Sequence, residues 1–491
     1  MSYQKLPYNQ SLALLTDLYE LTMAYGFWKT GTGERESVFH LFFRKNPFGG
    51  GYALACGLAT IIDYLENFTF DESDLAYLSS LSGNDGKPLF DPAFLEYLKR
   101  MEFRCDVDAV PEGTVVFPNE PLVRVQGPVI QCQILESALL NAINFETLIA
   151  TKAARICYAA NGEPVLEFGL RRAQGFDGGL GASRSAYIGG CAATSNVMAG
   201  KLFGIPVKGT HAHSWVMLFD SEIEAFEAYA DAMPNNCVFL VDTYNTLEGV
   251  KHAIEVGKKL RERGYEMVGV RLDSGDLAYL SIQARELLDA AGFTGATIVA
   301  SNDLDEIIID SLKDQGAKIT VWGVGTKLAT AYNQPALGGV YKLAAVRHAG
   351  GEWEYKVKLS EQQVKISNPG RQQVRRYFNS VENIADMIYN LDAPPRSDAV
   401  IVDQFDMTRR KHIPPETPYQ DLLVPIFRQG TRIYDLPSIH DIRRQAQENL
   451  SRFHAGIKRF VNPHQYPVGL EKSLFDLKTE LILKARHINH Q

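Results

Sequence analysis

A chain of 491 residues exceeds what one ordinary core requires and calls for two or three domains, although a single α/β barrel can absorb about 250 residues. Its 58 acidic against 50 basic residues give a formal charge of -8, which leaves no broad basic face for nucleic acid and no polybasic membrane segment, so small-molecule partners are expected. Cys56, Cys105, Cys132, Cys157, Cys191 and Cys237 are scattered with no Cys-x-x-Cys pair. That spacing indicates neither a disulfide framework nor a zinc knuckle and fits a reducing cytoplasm.

Met1 to Gln10 is polar and lacks a basic stretch followed by an apolar one, so it does not read as a secretory signal. Apolar spacing predicts a helix over Leu12 to Trp28, a strand over Val38 to Arg44 and, after the break at Asn46-Pro47-Phe48-Gly49-Gly50-Gly51, a helix over Leu54 to Leu65. Phe103 to Val125 is punctuated by Pro111-Glu112-Gly113 and Pro118-Asn119-Glu120-Pro121 and reads as a small twisted β-module. The first domain is therefore drawn over residues 1–130 as α/β.

Over residues 131–346 short apolar runs alternate with helical patterns at spacings of about 20 to 40 residues, the rhythm of parallel βα units. The runs are Pro164 to Phe168, Ile205 to Val207, Cys237 to Val241, Met267 to Val270, Thr297 to Ala300, Ile319 to Val321 and Val340 to Val346. Ala186 to Val207 is too interrupted for a membrane span and reads as a packed helix. Nearly every run is followed by charged or hydroxyl residues, which a barrel would bring to one rim, and no Gly-x-Gly-x-x-Gly fingerprint marks a dinucleotide fold. Residues 347–491 lose this regularity and are expected to pack on the N-terminal domain and the barrel, with helices over Ser438 to Phe453 and Glu471 to Ala485.

Six of the run ends carry the chemistry. Phe168-Gly169-Leu170-Arg171-Arg172 offers two guanidinium groups that can grip phosphate or carboxylate oxygens, against the plain alternative of a solvated basic turn. Gly209-Thr210-His211-Ala212-His213-Ser214 displays two histidines. Alone they read as ordinary surface or capping residues; at a strand end they are candidates for proton or phosphoryl transfer. Asp242 and Asp273 suit Mg²⁺ or ribose hydroxyls, with helix N-capping the competing role for Asp273 and Asp276. Ser301-Asn302-Asp303 is equally compatible with a cap. The turn Gly323-Val324-Gly325-Thr326-Lys327 lets backbone N–H groups approach an anion at the start of a helix. Together these ends describe a phosphorylated sugar or diphosphate substrate and phosphoryl or glycosyl transfer.

In the same order along the chain, Phe168-Gly169-Leu170-Arg171-Arg172, Gly209-Thr210 through Ser214 and Gly323-Val324-Gly325-Thr326 resemble motifs of the nicotinate phosphoribosyltransferase family. So do Leu15-Thr16-Asp17-Leu18-Tyr19-Glu20-Leu21-Thr22-Met23, Phe43-Arg44-Lys45-Asn46-Pro47, Pro111-Glu112-Gly113, Arg271-Leu272-Asp273-Ser274-Gly275-Asp276, Leu423-Val424-Pro425, Asn462-Pro463 and Tyr466-Pro467-Val468. The resemblance implies a type II phosphoribosyltransferase fold, an irregular α/β barrel beside an α/β domain built from both chain ends. It also implies the reaction of nicotinate with 5-phosphoribosyl 1-diphosphate to nicotinate mononucleotide and diphosphate in NAD salvage. ATP is the implied co-substrate, Mg²⁺ the implied ion, and a homodimer the implied assembly.

By the same resemblance Tyr19 flanks the pyridine ring, Thr210 and Arg271 help hold nicotinate, Arg171 engages the substrate anions, and Thr326 with Gly323 and Gly325 holds the 5-phosphate. His213, not His211, is the residue phosphorylated by ATP, and Asp273 is a ribose or Mg²⁺ partner, to which the strand-end reading adds Asp242 as a second candidate ligand. The last domain carries no cysteine, so no structural zinc is expected. Two alternatives stand beside this reading. The nicotinamide phosphoribosyltransferase family shares the barrel and histidine, although the Leu18-to-Met23 form resembles the nicotinate branch. A barrel retained as a metabolite sensor is the non-enzymatic one.

Overall fold

The computed structural model describes residues 12–486, and the polar segment Met1 to Gln10 lies outside them. Six short strands, buried for most of their length, form a parallel sheet: β1 (Val165–Glu167), β2 (Ala193–Thr194), β3 (Val238–Leu240), β4 (Gly269–Leu272), β5 (Thr297–Ala300) and β6 (Val321–Val324). Their spatial order is β2-β1-β6-β5-β4-β3, and Val207 extends it by a parallel bridge to Thr194. Followed around, the neighbours are successive in the chain, with β6 returning to β1. That is the order of a barrel, and no switch point of an open doubly wound sheet occurs. Strands covered on both faces read as continuous apolar runs, which is why Val165, Leu240, Val270, Ile298 and Val324 are all inaccessible to solvent.

The helices between the strands start on side-chain caps. Asn245 accepts the Glu248 N–H before Thr246–Glu262, Asp276 accepts the Tyr279 N–H before Leu277–Ala290, and Asp305 accepts the Ile307 and Ile308 N–H groups before Glu306–Asp314. Between the Val207 segment and β3 no backbone ladder is formed among the described residues. There the His211 imidazole takes the part of a ladder acceptor, receiving the Leu240 N–H on Nε2 at 3.2 Å.

The barrel forms one of two units, Ile149–Pro335, and the other is assembled from both chain ends, up to Leu148 and from Ala336 onward. The second unit holds an antiparallel seven-stranded sheet in the order Glu354–Tyr355, Gly339–Arg347, Glu36–Phe43, Val123–Pro128, Asp106–Ala109, Val424–Arg428, Thr431–Arg432. A six-stranded mixed sheet runs Arg410–His412, Val400–Val402, Val468–Glu471, Asn383–Asn390, Gln372–Phe378, Tyr419–Asp421. Tyr377, Ala385, Met387, Ala399, Ile401 and Ile413 form one apolar cluster in it.

Several expectations change in detail. The run Val340 to Val346 is not a barrel strand: Gly339–Arg347 pairs antiparallel with Glu36–Phe43, so the barrel unit is narrower than residues 131–346. Between β6 and that strand stands only the four-residue helix Thr326–Ala329, which gives the chain no helical crossover to a parallel neighbour. The stretch Ala186 to Val207 is not one helix; β2 lies inside it, between helices Phe176–Ile188 and Val197–Phe203. Phe103 to Val125 is no separate module, because Asp106–Ala109 and Val123–Pro128 are inner strands of the seven-stranded sheet. The first two helices begin later than their apolar spacing suggested, at Leu18 and Leu58. The helices at the C-terminal end fall close to their expected places, Ile439–Ser451 and Lys472–Ala485, capped by Ser438 and Glu471.

Candidate active site at the barrel rim

The residues that follow the barrel strands converge at the C-terminal ends of β3, β4 and β5, and Arg271 is their hub. Its Nη1 donates to Thr210 Oγ1 at 2.9 Å, its Nε to Ser301 Oγ at 2.9 Å and its Nη2 to Asp273 Oδ1 at 2.7 Å. Ser301 also donates to Asp273. Thus two strand ends and the Thr210 loop are held by one planar fork, the geometry for which arginine is suited and lysine is not. Burial pushes the Asp273 carboxyl up, but the Ser301 hydroxyl, the Arg271 guanidinium and the nearby His213 outweigh it and keep Asp273 below the usual carboxylate range.

Asp242 braces the same turn from β3. Its Oδ2 accepts the Asp273 N–H at 2.9 Å and the Ser274 hydroxyl at 2.6 Å, while its buried Oδ1 has no partner. His213 opens the short helix His213–Met217, with Nδ1 3.1 Å from Thr243 Oγ1 and Nε2 3.7 Å from Asp273 Oδ2. The imidazole is half-buried and oriented on both sides, as a nucleophile or proton carrier must be.

His211 has a different setting. It is buried against Tyr229 and Phe226, with ring centroids 4.9 and 6.1 Å away. Burial lowers its pKa to about 4, opposed by the contact with the Ala212 carbonyl and reinforced by Arg271 and His213. It stays neutral and serves the Leu240 N–H as an acceptor.

The arginine turn and the phosphate turn lie side by side. Phe168 donates its N–H to the Val324 carbonyl at 2.8 Å. A Cβ on Gly323 would come within 2.8 Å of the Phe168 ring, so Gly323 is demanded by packing as much as by any anion. Arg171 and Arg172 stand exposed on the turn Leu170–Arg172, their guanidinium groups unpaired among the described residues. Thr326 begins a helix of only four residues, so the helix dipole adds little there and the anion-binding capacity rests on backbone N–H groups and the Thr326 hydroxyl. Lys327 is tied to Asp305 at 3.0 Å.

Asp276 proves to be a helix cap. Ser301, which the sequence left open as a cap, belongs to the site because Asp305 takes the capping task. Next to it Asn302 and Asp303 both have positive φ, at 97° and 46°, a strained turn of the kind found at functional loops. Thr243 was missed as a partner of His213; its position directly after Asp242 was the available signal. Tyr19 belongs to the other unit, where it lies half-exposed in the first turn of helix Leu18–Lys29 beside the buried Glu20.

The parallel barrel with its polar rim defines a type II phosphoribosyltransferase fold. The described similarities agree: the nicotinate phosphoribosyltransferase (NAPRTase) N-terminal domain matches residues 14–144, the NAPRTase family residues 165–378, and the C-terminal domain residues 371–478. The chain belongs to the nicotinate phosphoribosyltransferase family. It is 44% identical to the nicotinate phosphoribosyltransferase of Bacillus subtilis over 97% of this chain and 96% of the relative, and 36% identical to the human one over 95% and 96%. The crystal structure of human nicotinic acid phosphoribosyltransferase superimposes with a TM-score of 0.83 at 34% identity, covering 95% of this chain and 99% of that one. A nicotinate-nucleotide pyrophosphorylase from Pyrococcus furiosus, 21% identical with a TM-score of 0.70, covers 92% of this chain and 97% of its own and shares the fold.

Proposed function

We infer that this chain joins nicotinate to the phosphoribosyl group of 5-phosphoribosyl 1-diphosphate in NAD salvage. The pyridine nitrogen forms the new bond to C1 of the ribose as diphosphate leaves with the bonding electrons, giving nicotinate mononucleotide. ATP hydrolysis is coupled to the transfer: the γ-phosphoryl group passes to the His213 imidazole, ADP departs, and water later releases phosphate. The observation that carries this reading is the placement of His213 against Thr243 and Asp273, on the same rim as the Arg271 hub. Arg271 and Thr210 hold the nicotinate carboxylate, Arg171 the substrate anions, and Thr326 with Gly323 and Gly325 the 5-phosphate. Tyr19 flanks the pyridine ring.

Mg²⁺ suits the oxygen donors present. Asp242 Oδ1 is a buried oxygen without a partner, and Asp273 offers a second carboxylate beside it. Those two residues would hold the ion, which supplies charge neutralisation for phosphate and diphosphate oxygens. A homodimer in the cytoplasm is the assembly and location we propose. Phe176, Val197, Met217 and Leu218 leave the barrel unit with strongly exposed apolar side chains, and all six cysteines are free thiols. No helix among the described residues is long and apolar enough to cross a membrane. A competition assay with nicotinate and nicotinamide tests the substrate. Nicotinate is expected to be strongly preferred, and preference for nicotinamide would overturn the reading.

A further inference from the structure

We propose that Glu167 is the positioning residue that locks the arginine turn against the phosphate turn and so sets affinity for the phosphoribosyl substrate. Glu167 ends β1 and is 1% exposed, and no described lysine or arginine is paired with it. Burying a carboxylate without a counter-ion is costly unless neutral donors are aimed at it beforehand. Here three are. The Gly169 N–H donates to Oε1 and the Thr194 hydroxyl to Oε2 at 2.6 Å, while the Ser183 hydroxyl lies 2.9 Å from Oε2 and shares its proton between it and the Gly179 carbonyl, also at 2.9 Å. Thr194 accepts the Asn196 N–H at 3.0 Å, which leaves its own proton for Glu167, and Asn196 is itself buried, with its side-chain amide 3.2 Å from Ser183 Oγ. One carboxylate therefore joins the end of β1, β2, the helix Phe176–Ile188 and the turn that carries Arg171.

The bonded glycine has nowhere to go. A Cβ on Gly169 would lie 2.3 Å from Ala329 Cβ, 2.9 Å from the Gly325 carbonyl oxygen and 2.9 Å from Glu167 Oε1. The Arg171 turn is thus pressed on the Gly325–Thr326 turn by the bond that Glu167 makes, and releasing that bond frees both anion-binding segments together. A glutamine at this position could not serve all three donors, because its amide nitrogen would face one of them.

The inference rests on the phosphoribosyl transfer read above, and the experiment separates the two. Glu167→Gln is expected to raise KM for 5-phosphoribosyl 1-diphosphate about tenfold or more, the effect of losing one charge-assisted hydrogen bond. KM for ATP should stay near the parent value, and the melting temperature should fall only modestly, since one buried donor is left unmet. Thr194→Val, which removes one donor without changing shape, should shift the same constant in the same direction by less. Hydrogen–deuterium exchange of the amides over 168–173 should accelerate in both variants. An unchanged KM for the phosphoribosyl substrate, an equal loss across all substrates with a large fall in melting temperature, or unaltered exchange over 168–173 overturns the proposal. Absence of turnover in the parent enzyme would instead sink the functional reading and leave the exchange measurement to decide the role of Glu167.

Discussion

Two histidines separated by a single residue carry different burdens because burial divides them. His213 is half-exposed and aligned by Thr243, so its loss should remove chemistry while the fold survives. His213→Ala is expected to abolish acid-labile incorporation of the γ-phosphoryl group of ATP and to uncouple ATP hydrolysis, while a slow ATP-independent reaction persists. Full coupling in that variant would mean the wrong histidine has been assigned. His211 is a structural acceptor, and His211→Leu should cost about 1–3 kcal/mol by orphaning the Leu240 N–H.

Its lowered pKa has a defined sign. The neutral form is favoured in the fold, so the stabilisation is complete above the ordinary value of 6.5 and is lost as pH falls from there toward about 4. Between pH 7.5 and 4.5 the parent should lose about 2–3 kcal/mol more stability than His211→Leu, as read by urea unfolding. At the phosphate turn, Thr326→Ala should chiefly weaken binding of the phosphoribosyl substrate, as read by its KM; an unchanged value would remove that turn from the site.

At the scale of elements, the rim depends on how closely each helix approaches its strand. A Cβ on Gly249 would fall 2.1 Å from the Val241 carbonyl oxygen, so the helix Thr246–Glu262 lies directly on the end of β3. Gly249→Ala should cost about 1–3 kcal/mol through overpacking and displace Asp242, lowering kcat/KM as well as the melting temperature. The barrel was legible in the sequence at β1, β3, β4 and β5 because strands covered on both faces leave unbroken apolar runs; the expected run Ile319 to Val321 meets β6 only at Val321, because Trp322, Gly323 and Val324, which read as a glycine-rich turn, form the strand itself. β2 was hidden: two residues, Ala193 and Thr194, in a run of small side chains have no period to display. The competition between capping and catalysis at the strand ends was visible too, but its outcome was not. Asp276 and Asp305 became caps and Asp273 and Ser301 did not, a choice made by where the Arg271 fork reaches.

On the scale of the whole molecule, the six-stranded sheet of the second unit escaped the sequence reading because its core carries charge. Gln372–Phe378 looks like a surface segment, yet Arg376 is buried and bonded to the fully buried Asp386 at 2.9 Å. A salt bridge folded inward erases the apolar alternation that would mark the strand. The gathering of both chain ends into one unit became readable only through the family resemblance, since no local pattern reports which distant strand will pair with Glu36–Phe43. Sedimentation of the purified protein should give twice the chain mass, as expected of the proposed dimer.

The most direct test of the central claim is turnover of radiolabelled nicotinate with 5-phosphoribosyl 1-diphosphate, in the presence and absence of ATP. Labelled nicotinate mononucleotide should form in both, faster and further with ATP, with about one ADP released per product. No labelled product under either condition, or product formation indifferent to ATP, would contradict the account.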